Sequence, residues 1–156
     1  MPAAALLGVV GTAARGLGWL VLLMAKAVEF EMPAVAVTDH GDRRPGVHTR
    51  RHGGVVAGVR AELAERLDAI RAAGIADDRI VLDPGLGFAK EAHHNWELLR
   101  RLDVLAELGA PLLIGFSRKT FLGRLLEGQD GTARPVSERE DAGVALSALL
   151  AAGLGR

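Results

Sequence analysis

Apolar residues at Val56, Val59, Leu63, Leu67 and Ile70 recur at intervals of three and four, which paints one face of a helix. The pattern stops near Ala73, and Gly74 suits the left-handed position that closes a helix. Directly after it, Arg79 to Leu82 form a short apolar run before Asp83, as expected of a strand buried on both faces. A second helix is predicted with Asn95 as its N-cap, with Leu98, Leu102 and Leu105 on one face and Gly109 at its close. Pro111 to Gly115 then predict the next strand. Beyond a glycine-broken loop, Ser137 and Glu140 have capping-box spacing and predict a helix through Val144, Leu146, Leu149 and Leu150. Toward the N-terminus the pattern gives a helix over Ala3 to Ala14, a Gly-rich turn and a strand at Trp19 to Met24. Residues 25–53 mix one possible strand with clustered Arg, His, Gly and Pro, and read as a long irregular loop.

Strands that alternate with amphipathic helices pair in parallel through right-handed crossovers, so their C-terminal ends lie side by side. The loops at that edge can carry polar groups while the strands stay packed, and ligands of such folds sit there. Two loops leave that edge: IVLDPGLGFAK places Asp83 at one strand end, and PLLIGFSRKTFLG places Lys119 at the other. The two side chains are expected to converge. A carboxylate there can accept two parallel N–H bonds from a planar amidine-like edge, such as that of a pterin. Lys119 offers a mobile cation for a ring carbonyl or carboxylate, Ser117 a small hydroxyl, and Phe88 a face for an aromatic ring. Gly85, Gly87 and Gly115 permit close approach of backbone to ligand. Taken singly, Asp83-Pro84-Gly85 is an ordinary turn and Ser117-Arg118-Lys119 a solvated basic one. It is their occurrence at equivalent ends of successive strands that argues for a site.

Composition narrows the class. A chain of 156 residues suffices for one domain with a real core, 1–156. Its 19 Lys and Arg balance 19 Asp and Glu, so no global field marks it for nucleic acid. There is no cysteine, which excludes a disulfide framework and thiolate zinc sites and fits a cytoplasmic protein. The apolar N-terminal stretch is interrupted by Arg15 and by Gly8, Gly11, Gly16 and Gly18 before the ~20 apolar residues that a spanning helix needs, so no membrane role is expected. His40, His48 and His52 lack the helical spacing of a metal site, and no metal is assigned to them. Arg43, Arg44, Arg50 and Arg51 can meet a phosphate, but read more simply as a solvated loop.

LDPGLGFAK followed by HNWELLRRL, then PLLIGFSRKTFLG and a later RED before a helix, closely resembles the C-terminal half of the dihydropteroate synthases, enzymes of folate biosynthesis. The resemblance is strong over 54–154. It implies a TIM (β/α)8 barrel, here partial, with the equivalents of strands five to seven and their helices. It implies that Asp83 binds the pterin ring, that Gly115, Ser117 and Lys119 line the pterin and para-aminobenzoate sites, and that Phe88 and Lys90 match the family's GFxK stretch. Met24, in the Leu-Met of the fifth strand, joins the substrate-binding set, and Asp83 and Lys119 are the expected catalytic residues. The implied reaction joins 6-hydroxymethyl-7,8-dihydropterin diphosphate to para-aminobenzoate with release of diphosphate, assisted by Mg²⁺.

The chain departs from the family pattern. The family's Asn-x-Thr-x-Asp-Ser-Phe-Ser segment, which helps hold Mg²⁺ and diphosphate, has no match, nor has its Arg-x-His-Asp-Val segment of the eighth strand. Ala25 stands where a histidine commonly follows the Leu-Met of strand five. The expectation is a truncated synthase, a fragment poorly active or inactive alone, prone to self-association or homo-oligomer formation. The alternative is a non-catalytic module that binds a pterin or completes a barrel with another chain. A Rossmann dehydrogenase is disfavoured, because Gly85-Leu86-Gly87 lacks the third glycine of a dinucleotide fingerprint.

Overall fold

The computed structural model describes residues 35–38 and 53–153. The predicted helix at Ala3 to Ala14, the strand at Trp19 to Met24, Met24 itself and the arginines and histidines of the basic loop lie outside the described residues.

The first described element is strand β1, Val35–Thr38, a β-branched run inside the segment read as loop. This is the possible strand of that segment, and clustered charge and glycine around it hid its short period. Helix α1, Val55–Ala72, buries Val55, Val59, Leu63, Leu67 and Ile70 on one face and exposes its polar side. Its end has the predicted form. Gly74 takes φ of 86°, its N–H donates to the Arg71 carbonyl at 2.9 Å, and the Ile75 N–H reaches back to the Ile70 carbonyl at 3.4 Å. A 3₁₀ turn at Asp77–Arg79 then delivers the chain into strand β2, Ile80–Asp83.

β1 and β2 pair in parallel, with Val35 opposite Ile80 and Thr38 opposite Asp83. On the other side of β2, Leu82 forms a parallel bridge with Leu112: its N–H donates to the Pro111 carbonyl and its carbonyl accepts from the Leu113 N–H, both at 2.8 Å. The predicted strand at Pro111 to Gly115 is thus present as a single rung. β2 is hydrogen-bonded on both edges, by β1 on one side and the Leu112 segment on the other. The parallel α/β order is the expected one. Among the described residues the sheet does not close into a barrel.

Helix α2, Ala92–Arg100, is capped at Glu91, four residues before the predicted cap. The Glu91 N–H donates to His94 Nδ1 at 3.3 Å, and Asn95, buried to 1% exposure, lies inside the helix. The predicted continuous helix also breaks at Arg101, whose ψ of 36° leaves the helical region, and restarts as α3, Leu102–Ala106, with Asp103 favourably placed in its first turn. Helix α4, Thr120–Leu125, follows the second loop, and Phe121 meets Trp96 of α2 edge to face at 5.1 Å. Helix α5, Glu140–Ala151, forms where predicted, but without the capping box: Ser137 sits in a 3₁₀ turn, Val136–Glu138, and Arg139 takes the cap position. α1 packs against β1, α2 and α3, and α2 against α4, so the core lies between the strands and these helices.

Candidate functional site

The parallel register puts the C-terminal end of β2, and the loop after it, beside the loop that follows Leu112. In the first loop Pro84, Gly85 and Leu86 are buried, and Leu86 plugs the loop into the core at 0% exposure. Three left-handed residues, Gly85 (φ 65°), Gly87 (φ 74°) and Ala89 (φ 47°), fold it tightly back. The Gly85 N–H donates to Asp83 Oδ1 at 2.8 Å, which fixes the rotation of the carboxylate. The Lys90 ammonium closes the loop from below, donating to the Gly85 carbonyl at 3.1 Å and the Phe88 carbonyl at 3.2 Å.

The second loop approaches from the neighbouring segment. Gly115 lies beside Asp83: a Cβ there would stand 3.7 Å from Oδ2, in ordinary van der Waals contact. Arg118 has φ of 56°, a left-handed conformation uncommon outside glycine, Asn and Asp. Its carbonyl accepts from the Arg139 guanidinium at 2.9 Å, and the same guanidinium donates to the Arg134 carbonyl at 2.9 Å. Gly123 makes room for that side chain, since a Cβ would come within 2.6 Å of Arg139 Nε. The loop therefore turns over and sends Lys119 back across the first one.

There Lys119 meets Phe88. Its ammonium stands 3.5 Å from the ring centroid, a close cation–π contact, and its stem runs over Gly87, where a Cβ would lie 2.7 Å from Lys119 Cδ. Burial pushes the Lys119 ammonium below the ordinary lysine range; the Asp83 charge opposes that shift and the Lys90 charge adds to it. Asp83, Phe88, Gly115 and Lys119 are thus brought together as the sequence led one to expect. Ser117 is exposed on the second loop. Sequence reasoning missed Asn95 and Arg139. Asn95 was readable as a polar residue three positions before Leu98, on the apolar face, and Arg139 stands in the RED segment, noted without a role.

The sequence is matched over residues 22–155 by the model of the family described as pterin binding enzyme. The chain belongs to that family. It is 54% identical over 97 residues to the dihydropteroate synthase of Mycobacterium leprae, covering 62% of this chain and 34% of that enzyme. Among solved structures, the Xanthomonas albilineans dihydropteroate synthase with 4-aminobenzoic acid superposes with a TM-score of 0.65 at 34% identity, over 81% of this chain and 42% of that one. The Thermus thermophilus dihydropteroate synthase in complex with 6HMPPP gives 0.63 at 35% identity, over 80% and 45%. The chain therefore spans about a third of the curated M. leprae relative and less than half of either solved structure. No helix among the described residues is long and apolar enough to cross a membrane.

Proposed function

We propose that this chain carries the pterin- and arylamine-facing part of a dihydropteroate synthase site. The observation that carries the reading is the placement of Asp83: a carboxylate oriented by the Gly85 N–H, next to Gly115, with a cation and an aromatic face on the adjoining loops. A pterin's amidine edge pairs with the carboxylate through two parallel N–H bonds. Lys119 then leaves Phe88 for a ring carbonyl, and the vacated ring takes an aromatic acid. Two relatives solved with 4-aminobenzoic acid and with 6HMPPP support those ligand classes.

In the proposed reaction the bond between the pterin's exocyclic carbon and the diphosphate oxygen breaks, and the electron pair leaves on the diphosphate. The aniline nitrogen forms the new C–N bond and loses one proton. Asp83 favours the positive charge that spreads into the pterin ring, and the loops orient and shield it. Among the described residues no three His, Asp or Glu side chains gather into a metal centre. Neutralising the departing diphosphate takes preorganised charge worth roughly 10²–10³ in rate for each group lost. At this site Lys119 rests on the Phe88 ring and Lys90 is committed to the carbonyls of the first loop. The 156-residue chain by itself is expected to bind pterin weakly and to turn over near background, because the family's Asn-x-Thr-x-Asp-Ser-Phe-Ser and Arg-x-His-Asp-Val segments, which meet the diphosphate, have no match in it. Exposed Val144 and Leu149 on α5 fit self-association, and sedimentation as a compact monomer would count against that part.

The test is a pterin titration of the whole chain and its Asp83→Ala variant, beside a coupled assay with both substrates and Mg²⁺. Binding that Asp83→Ala abolishes supports the reading. Equal binding by the two proteins removes Asp83 from the site.

A further inference from the structure

Asn95 is the most deeply buried polar side chain of the described core, and both ends of its amide are in use. Its Nδ2 donates to the Glu91 carbonyl at 2.8 Å within α2, and its Oδ1 accepts the Gly87 N–H at 2.7 Å from the loop. The first bond orients the amide and the second spends it on one peptide of the first loop. That peptide is the point over which the Lys119 stem crosses, one residue before the ring on which its ammonium rests.

We propose that Asn95 is a positioning residue: by holding the Gly87 peptide it fixes the plane on which the Lys119 stem lies, and so the place where the Lys119 ammonium meets the Phe88 ring. Gly87 has no side chain of its own with which to be held, and without a Cβ its peptide can turn once the amide bond is gone, restrained then by the bond from the Phe88 N–H to the Gly85 carbonyl at 3.1 Å. Lys90 grips Gly85 and Phe88 by their carbonyls, on either side of Gly87, and leaves the Gly87 N–H to Asn95. Asn95 touches neither the carboxylate nor the cation, and acts on both loops through one hydrogen bond. The consequence for ligand binding rests on the proposed function; the geometry does not, so it is tested without ligand.

The chain contains three lysines, Lys26, Lys90 and Lys119, so ¹³C-lysine labelling gives three resolvable ε-methylene signals, assigned by the loss of one in Lys119→Arg. A cation seated over a ring has its ε-protons shifted upfield, and Phe88→Leu sets the position without the ring. In Asn95→Ala, folded by circular dichroism, the Lys119 signal is expected to lose that upfield displacement and its titration to rise toward the ordinary 10.5. Asn95→Asp keeps an acceptor of the same shape for the Gly87 N–H and is expected to retain most of the displacement. A wild-type signal already at the Phe88→Leu position overturns the inference, as does a folded Asn95→Ala whose signal is unmoved. Loss in both Asn95 variants overturns the link through Gly87, and failure of both to fold assigns Asn95 to the core alone. If Asn95→Ala alone fails to fold, retention of the shift in Asn95→Asp supports the inference and its loss overturns it. Pterin titration of the same proteins reports separately on the proposed function.

Discussion

The two loops at the sheet edge solve the same problem, holding a polar group at the end of a strand, in opposite ways. The Asp83 loop is built inward: Pro84, Gly85 and Leu86 are buried, Asn95 and Lys90 grip its peptides from outside, and its carboxylate is locked by the backbone. The Lys119 loop is built outward. Gly115, Ser117 and Arg118 are exposed around a buried Phe116, the loop is tied down by the half-buried Arg139, and its cation sits on a four-carbon stem. In the proposed site, the ligand edge read by geometry falls to the rigid loop, and the charge that follows the ligand falls to the looser one. Substitutions in the first loop should therefore cost more than those in the second.

The largest effect is expected at Asp83. Charge-assisted hydrogen bonds contribute roughly 1.5–3 kcal/mol, so Asp83→Ala should weaken pterin binding by about 10- to 100-fold. Asp83→Asn should lose nearly as much, because its amide offers a donor where the ligand also donates. Isothermal titration of the three proteins measures this, and a tight Asp83→Asn would show that shape rather than charge reads the ligand.

Gly87→Ala tests the crossing of the loops. A left-handed residue with a Cβ costs roughly 1–2 kcal/mol, and here the methyl group also meets the Lys119 stem. Urea unfolding should show that loss, with the Phe88 contact of Lys119 broken. Wild-type stability would mean that the loop relaxes where the structure has it rigid.

Arg139→Ala should do less. Its two bonds to carbonyls are exposed, and their loss should cost roughly 0.5–1.5 kcal/mol. The effect should be local: the Lys119 amide, bonded to the Phe116 carbonyl at 3.1 Å, should exchange with solvent a few-fold to about tenfold faster, while the Asp83 loop keeps its protection. Equal acceleration in both loops would refute their independence.

The same contrast explains what was legible in the sequence. Helix α1 and strand β2 were plain because each has a strong apolar period, and the two loops were plain because glycines and charges end those periods abruptly. Strand β1 was obscured because four residues in a charged neighbourhood carry too short a period to stand out. Asn95 was misread as a cap because asparagine favours caps, while Glu91 paired with His94 is a less common opening. Asp83 and Lys119 were legible as candidates because strand ends are where parallel sheets place polar loops. The side chains that hold them were not, since a hydrogen bond from Asn95 to a peptide eight residues earlier, or from Arg139 to a carbonyl 21 residues earlier, leaves no periodic mark.

The smallest expected effect is set by pH, and it also reaches the rigid loop through α2. His94 is buried at 8% exposure, and burial, reinforced by neighbouring His93, holds its imidazole below the ordinary 6.5. Its Nδ1 accepts the Glu91 N–H, a role open only to the neutral ring. The unfolded chain therefore binds the proton more readily than the folded one, and stability present above pH 6.5 is lost as pH falls through the folded value. Asp77 and Asp130 are held below 3.8, Asp77 by Arg71 and Asp130 by its bonds from Thr132, so their contributions fade only in stronger acid and leave this window clear. Protonation frees the first turn of α2, next to the Asn95 that holds Gly87, at a cost of about 1 kcal/mol, the net worth of one hydrogen bond. Urea midpoints at about pH 7.5 and about pH 5.5, on either side of the ordinary histidine value, should thus differ in the wild-type chain. They should differ less in His94→Gln, whose amide oxygen accepts the same bond without titrating. An identical pH dependence in the two proteins would place the acid sensitivity elsewhere, and with it the control of the rigid loop.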